Sequence, residues 1–258
     1  MKSITKRRQI NKLNNKSKTK KSNKSINIIA YNISWQSMTG KRPEWSLCSN
    51  NTDSNHPRHH SICVGTVASV LENNQSDFIL LQEAESRQHL ITQSPRLAKM
   101  KYEIHESSND KMITFWNSIY TIKKIIRGEF ELGRPWMAIL YTNGWCVVNV
   151  HFGHYSREKE VNKLNQLVKE INKKMEYKRL IIGGDFNYDI KKLDNSGKII
   201  LDNTAFYYHP KNLLTCCINR RVQNDHVIDT QAPLLDIKIP RVAYMASDHK
   251  PILAELVA

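Results

Sequence analysis

Packed β-sheets with helices on their outer faces, in one domain behind a basic tail, are what this sequence predicts. Three observations carry that reading. Short runs rich in β-branched and aromatic residues recur along the chain, helical apolar spacing appears between them, and neither an internal repeat nor a linker interrupts residues 26–258. Taken in order, "INIIAYNISW" (26–35) reads as a buried strand, and the polar stretch around 54–61 as a long loop. The apolar spacing of 62–74 suits a helix, and "DFILLQE" (77–83) a short buried strand with a polar end. A helical pattern covers 86–99, followed by strands near 101–106, 111–116 and 119–126. Segments 135–142 and 145–151 flank Asn143-Gly144, which signals a tight hairpin. Val161, Leu164, Leu167, Val168 and Ile171 mark one face of an amphipathic helix over 155–175, and a strand at 179–183 follows. The polar region 190–224 shows no clear period. Residues 225–230, a loop at 244–250 and a strand at 251–257 close the chain.

The formal charge of +15 is concentrated at one end. Residues 1–25 hold 10 Lys/Arg and no Asp/Glu, leaving a body with 29 basic and 24 acidic residues. Such a tail has little to bury and is expected to be disordered. "TKRR" and "KTKK" fit an arm for polyanions or anionic membrane, or a nuclear address; a merely solvated tail fits equally. The tail lacks the apolar region of a signal peptide, and no run reaches the length of a membrane span. Five cysteines without C-x-x-C spacing suggest reduced thiols, so an intracellular protein (cytoplasm or nucleus) is expected, with a monomer as the default. Dinucleotide-binding and Walker-type glycine loops are absent.

Polar residues sit at the ends of the apolar strands. Asn32 follows "INIIAY", Glu83 follows "DFILLQ" and His151 follows "WCVVNV". Asp185 and Asn187 follow "LIIGG", Asp225 opens "DHVID", and Asp248-His249 precede the last strand. Singly, each is explained as a turn former, a cap or a structural histidine. Together they describe one rim of a packed sheet, where rigid scaffolds place functional groups. Carboxylate and amide oxygens without clustered thiolates suit a hard cation such as Mg²⁺ or Mn²⁺, and the histidines supply an acid, a base or a donor to phosphate. Alternation along an extended chain lets Asp185 and Asn187 face one site.

"GGDFN" (183–187), "ILLQE" (79–83), "YNISW" (31–35), "NVHFGH" (149–154) and "SDHKPI" (247–252) resemble the endonuclease/exonuclease/phosphatase superfamily, in its motif order. The resemblance implies an α+β fold, a four-layer α/β/β/α sandwich of two mostly antiparallel sheets with outer helices, and metal-dependent hydrolysis of a phosphate ester. Carried over, it makes Glu83 the principal Mg²⁺ ligand with Asn32 near metal or phosphate, and Asp248 a completing member. His249 contacts the phosphate and Asp225 orients it, with Asp229 a rival for that role. Asp185 aligns or deprotonates water, while Asn187 and His151 hold phosphate oxygens. His154 is a further phosphate or supporting candidate. His56, His59 and His60 read as a substrate-side loop or as nothing, and Asp189 as a loop residue.

Among substrates, nucleic acid comes first. The basic tail and rim cations, Arg134 and Arg157 with Lys41, Arg42, Arg58, Arg220, Arg221 and Lys250, suit a phosphate backbone. Trp35, Trp45, Trp136, Phe186 and Tyr188 are possible stacking residues, although most aromatics are core. "GDFNY" also resembles inositol phosphatases, and a lipid-headgroup phosphodiesterase such as a sphingomyelinase is the other alternative. A binding protein that merely kept the fold is disfavoured by the complete set of polar residues.

Overall fold

The structure, a computed structural model, describes residues 25–34, 59–85, 87–154, 156–194, 196–216, 222–241 and 247–258. Its strands are β1 (Ser25–Asn32), β2 (Phe78–Gln82), β3 (Lys101–Glu106), β4 (Lys111–Trp116), β5 (Ile122–Phe130), β6 (Arg134–Tyr141), β7 (Trp145–His151), β8 (Arg179–Asp185), β9 (Lys198–Leu201), β10 (Thr204–Tyr208), β11 (Asp225–Asp229), β12 (Asp236–Lys238) and β13 (Ile252–Val257). The helices are α1 (His59–Asn73), α2 (Arg87–Gln93), α3 (Pro95–Lys99) and α4 (Arg157–Lys174). One sheet runs β12-β13-β1-β2-β4-β3 and the other β5-β6-β7-β8-β11-β10-β9. Pairing is antiparallel except for β1 with β2 and β7 with β8.

Alternation along the strands builds the layers. Ile28 and Ala30 of β1, Phe78 and Leu80 of β2, Met137 and Ile139 of β6, and Ile181 of β8 meet between the sheets. Their neighbours point outward: Ile29, Tyr31, Ile79 and Leu81 pack against Cys63, Val64, Val67 and Leu71 of α1 and against Leu90 and Leu97. On the far side Leu140, Val148, Leu180 and Ile182 pack against Leu164, Leu167, Val168 and Ile171 of α4. Strands clothed on both faces read as unbroken apolar runs because both sets of side chains are buried. The fold is therefore the four-layer α/β/β/α sandwich. Among the described residues no helix is long and apolar enough to cross a membrane.

Local chemistry moved several boundaries. Strand β1 starts at Ser25, inside the expected tail, and α1 starts at His59, inside the expected loop. The helix expected over 86–99 is split, because Ser94 caps α3 by accepting from the Leu97 N–H and Pro95 occupies its first turn. The region 190–224 contains β9 and β10, and the three-residue β12 was also missed in the sequence. Cys146 is a buried free thiol. Cys63 and Cys216 are disulfide-bonded, which corrects the reading of all cysteines as thiols.

Candidate active site

Strand register assembles the site. His151 of β7 lies opposite Asp185 of β8, and Asp185 lies opposite Asp225 of β11, so three polar residues stand abreast at one end of the second sheet. In the first sheet Asn32 pairs with Gln82, which puts Glu83 one residue beyond the end of β2. The last two residues of "LIIGG" permit the close approach. A Cβ on Gly183 would meet Leu80 Cδ1 at 2.8 Å, and one on Gly184 (φ 143°) would lie 2.1 Å from the Val150 carbonyl oxygen. Beneath the rim, buried Gln82 donates to Asn149 Oδ1 (2.6 Å) across the sheets. Asn149 Nδ2 in turn faces Leu81 O, Ile113 O and Thr114 Oγ1, each at 3.2 Å.

Asp185 is the centre. Its Oδ2 lies 3.0 Å from Asn32 Nδ2, 3.4 Å from His151 Nε2 and 3.6 Å from His249 Nε2, and its Oδ1 accepts from the Asn187 N–H at 2.8 Å. Each histidine is backed by a second carboxylate. His249 Nδ1 lies 3.0 Å from Asp225 Oδ2, and His151 Nδ1 lies 2.5 Å from Asp110 Oδ2. Arg134 Nη1 also sits 3.3 Å from His151 Nδ1. The shorter Asp110 contact claims that proton, so Arg134 only abuts the ring. Arg134 is nearer in charge to Glu83 Oε1 (3.7 Å) and Asp110 Oδ2 (3.6 Å). Glu83 also accepts from Asn32 Nδ2 at 3.3 Å and stands 3.9 Å from His151 Nε2.

These contacts set the protonation states. Burial works to lower His249, but Asp225 and Asp185 outweigh it and raise its pKa to about 10. Burial pushes Asp225 up to about 6, still below His249, so the proton of that pair rests on the imidazole. His151 is raised too: burial opposes its charge, but the bond to Asp110 and the charges of Asp110 and Asp185 prevail. Against its own burial, Asp185 is held below the usual carboxylate range by His249, His151 and its hydrogen bonds from Asn32 and Asn187.

Several expectations meet the geometry differently. Asp229 is engaged by Arg179, at 3.0 and 2.5 Å, in a buried pair whose guanidinium also reaches Val257 O, so it is not beside His249. Asn187 does not share a face with Asp185 by alternation: β8 ends at Asp185, Phe186 turns into the core, and Asn187 adopts φ 51°. Its Nδ2 donates to Phe152 O at 2.8 Å. Asn32 Oδ1 accepts from the Ser34 N–H at 3.0 Å, which turns Nδ2 toward Glu83 and Asp185; as placed, Asn32 bridges those carboxylates rather than offering them an oxygen neighbour. Trp136 and Phe186 are core residues and are not available for stacking, whereas Tyr188 and Lys250 are half-buried. His154 is exposed. Arg157 opens α4, but its side chain lies outside the described residues, as do Trp35, Lys41, Arg42, Trp45, His56, Arg58, Arg220 and Arg221.

Asp110 was missed in the sequence. In "SSNDKM" it looks like a turn residue before β4, and only the packing of β4 beside β2 brings it to His151. Thr215 was missed as well; its Oγ1 accepts from the N–H groups of Asn224 and Asp225 and steadies the start of β11.

The donors fit a hard cation. Ligand atoms of Asp185, Asp225 and His249 lie within 4.8 Å of one another, and buried Asp225 Oδ1 has no hydrogen-bond partner. Exposed Asp248 groups with His249 and Cys216, and the disulfide-bonded sulfur offers no thiolate there. Glu83 is the carboxylate that borders the open side, on a half-buried residue lining a cavity of about 290 Å³.

Known proteins share this architecture. The chain is 27% identical over 253 residues to the uncharacterized protein L684 of Acanthamoeba polyphaga mimivirus, covering 89% of this chain and 50% of that protein. It therefore spans about half the length of that relative. TDP2 from C. elegans superposes with a TM-score of 0.63 at 15% identity, covering 91% of this chain and 75% of TDP2. ANGEL2, a 2',3'-cyclic phosphatase, gives a TM-score of 0.65 at 14% identity, with 90% and 94% covered. An endonuclease/exonuclease/phosphatase from Bacteroides vulgatus gives 0.64 at 13% identity, with 90% and 98% covered. The profile of the endonuclease/exonuclease/phosphatase family matches residues 31–233, and with the strand-end motifs already in place the chain belongs to that family of phosphoesterases.

Proposed function

We propose that this protein is a Mg²⁺-dependent hydrolase of phosphodiester bonds in nucleic acid, DNA or RNA. The observation that supports the reading is Asp185 set between two carboxylate-backed imidazoles, with Glu83 and Arg134 alongside. Glu83, with Asp185 and Asp225 nearby, would hold the cation, which supplies charge stabilisation to the phosphate.

The chain's own groups supply the rest. A phosphodiester is an anion that repels water, and its transition state gathers charge on non-bridging oxygens. His249, kept cationic by Asp225, donates from Nε2 toward one of them. His151, shifted toward its cationic form by Asp110 and Asp185, donates from Nε2 on the other side while its Nδ1–H stays on Asp110. Asp185, held ionised between both imidazoles, aligns the attacking water or takes its proton and fixes the two rings. Arg134 gives a third positive group toward the phosphate.

The test is Mg²⁺-dependent cleavage of supercoiled plasmid and of single-stranded RNA. Glu83→Ala and His249→Ala should each lower the rate at least about 100-fold. A panel adding phosphotyrosyl DNA, a 2',3'-cyclic nucleotide, sphingomyelin and inositol phosphates assigns the class. Intact nucleic acid alongside a hydrolysed lipid or inositol phosphate would overturn the proposal. Removing residues 1–24, which leaves β1 whole, should weaken salt-sensitive polyanion binding while turnover on short substrates persists.

A further inference from the structure

The turn between β5 and β6 presents an exposed leucine under strain. Leu132 adopts φ 65° and ψ 21°, a left-handed conformation unfavourable for a side chain with a Cβ, yet the residue remains 72% exposed. Strain of this kind persists only where the surroundings impose it, and here they do so from two sides. Asn109 Nδ2 donates to Leu132 O at 3.0 Å, and Ser107 Oγ donates to Gly133 O. From α4, Lys159 and Lys163 hold Glu131 at 2.5 and 2.9 Å. The chain thus fixes an aliphatic side chain in the open instead of burying it.

The place is informative. Leu132 lines the cavity of about 290 Å³ whose other walls are Glu83, Glu85, Asn109, Asp110 and Arg134, so it borders the candidate active site. Of these walls, Glu83, Asp110 and Arg134 already serve the proposed cation, His151 and the scissile phosphate, which leaves Leu132, Asn109 and Glu85 to a neighbouring group. Glu85, 4.0 Å from Lys111, can accept from a neutral group that carries N–H donors. The volume lies at the lower bound for small-molecule sites and suits one ring system. A nucleobase has both features, an apolar face for Leu132 and amino edges for Glu85.

We propose that this hollow is a subsite for a nucleobase flanking the scissile phosphate, with Leu132 as the surface the base stacks on. The inference rests on the proposed phosphodiesterase activity and narrows its substrate to nucleotides, against inositol polyphosphates and lipid headgroups.

Leu132→Gly tests it, since glycine takes the same backbone conformation without strain and removes the side chain. Its Tm should equal or exceed that of the wild type. Cleavage rates are compared on short single-stranded oligonucleotides carrying either a normal nucleotide or an abasic sugar, on one side and then the other of a single cleavable bond. Wild type should prefer the base-bearing substrate on one side by about tenfold, the size expected for one base stack. In Leu132→Gly that preference should fall to about twofold or less. If wild type cleaves these oligonucleotides and the preference is unchanged in the variant, the subsite is overturned and the nuclease reading stands. If wild type cleaves none of them, whether or not it hydrolyses a lipid or inositol phosphate, the nuclease reading and the subsite fall together.

Discussion

The hydrogen bond from Gln82 to Asn149 predicts that the two halves of the site are mechanically coupled. Glu83 follows Gln82 directly and His151 stands two residues beyond Asn149, so the inter-sheet contact lies beneath both. Asn149→Leu keeps the volume and removes the polar group. It deletes the acceptor 2.6 Å from Gln82 Nε2 and the donor facing Leu81 O, Ile113 O and Thr114 Oγ1. Gln82 Nε2 keeps only Leu80 O at 3.2 Å. At about 1 kcal/mol for each net hydrogen bond, with a further penalty for the buried groups left unpaired and some return from apolar contact, the loss is about 2–3 kcal/mol. For a domain of this size that lowers Tm by about 5–10 °C.

Gln82→Leu should cost a similar amount by orphaning Asn149 Oδ1. The double variant removes both partners, so it should recover about 1–2 kcal/mol relative to the sum. Thermal melts and steady-state kinetics on one substrate measure both effects. A displacement of about 1 Å at Glu83 or His151 is enough to lower kcat by about 100-fold, so each single variant should lose kcat with little change in KM. Additive Tm losses within error, or full kcat in Asn149→Leu despite a lower Tm, would refute the coupling.

Other predictions follow from single contacts. Gly184→Ala places a methyl 2.1 Å from the Val150 carbonyl oxygen at φ 143°, and it should lower stability by at least about 3 kcal/mol in denaturant titrations. Glu160 is fully buried on α4 with both oxygens unpartnered, and burial, aided by the charge of Asp185, raises its pKa to about 8. The folded state therefore retains a proton that the unfolded chain releases, so stability should fall as pH rises from about 5 to 8, and Glu160→Gln should flatten that slope in Tm against pH. Asp225→Asn removes the principal charge that raises His249. The alkaline limb of kcat/KM should therefore move from near pH 10 toward neutrality, and an unmoved limb would show that His249 does not act as the cation.

The sequence made the scaffold and most of the rim legible for the same reason. Strands clothed on both faces appear as apolar runs, and polar residues ending those runs had to lie at sheet edges: Glu83, His151, Asp185 and Asp225 do. What stayed hidden depended on contacts between distant segments. Asp110 reaches His151 across 41 residues of sequence, and nothing local distinguishes it from a turn former. The motif favoured Asp225 over Asp229, and Asp225 does lie on His249, but the physical reason was hidden: Arg179, 50 residues before Asp229, claims the second carboxylate. Alternation failed at Asn187, since the period of two ends where the strand ends. Backbone strain was equally invisible: Ser34, Glu83 and Asn187 all take positive φ at 56°, 54° and 51°, and each is where a rim strand turns away from its sheet.

The charges of the assembled rim bear on what it binds. With both imidazoles protonated, the form that the raised pKa values of His249 and His151 favour, Glu83, Asp110, Asp185 and Asp225 carry four negative charges and Arg134 with the two rings three positive ones, solvent-exposed Asp248 apart. In a partly buried site a net charge of −1 is unfavourable unless a ligand cancels it. One divalent cation and one phosphodiester monoanion together contribute +1 and bring the site to neutrality. A phosphomonoester dianion with one cation leaves −1, and a second cation with a diester leaves +2. For that protonation state we propose one cation and a diester as the ligand set. Calorimetric titration of Mg²⁺ into the protein holding a hydrolysis-resistant phosphorothioate dinucleotide should give a stoichiometry of one. The phosphodiester should raise Mg²⁺ affinity by about tenfold or more, since each ligand offsets charge that opposes the other. A stoichiometry of two, or a phosphomonoester that enhances Mg²⁺ binding more than the diester does, would show that charge cancellation is not what selects the substrate.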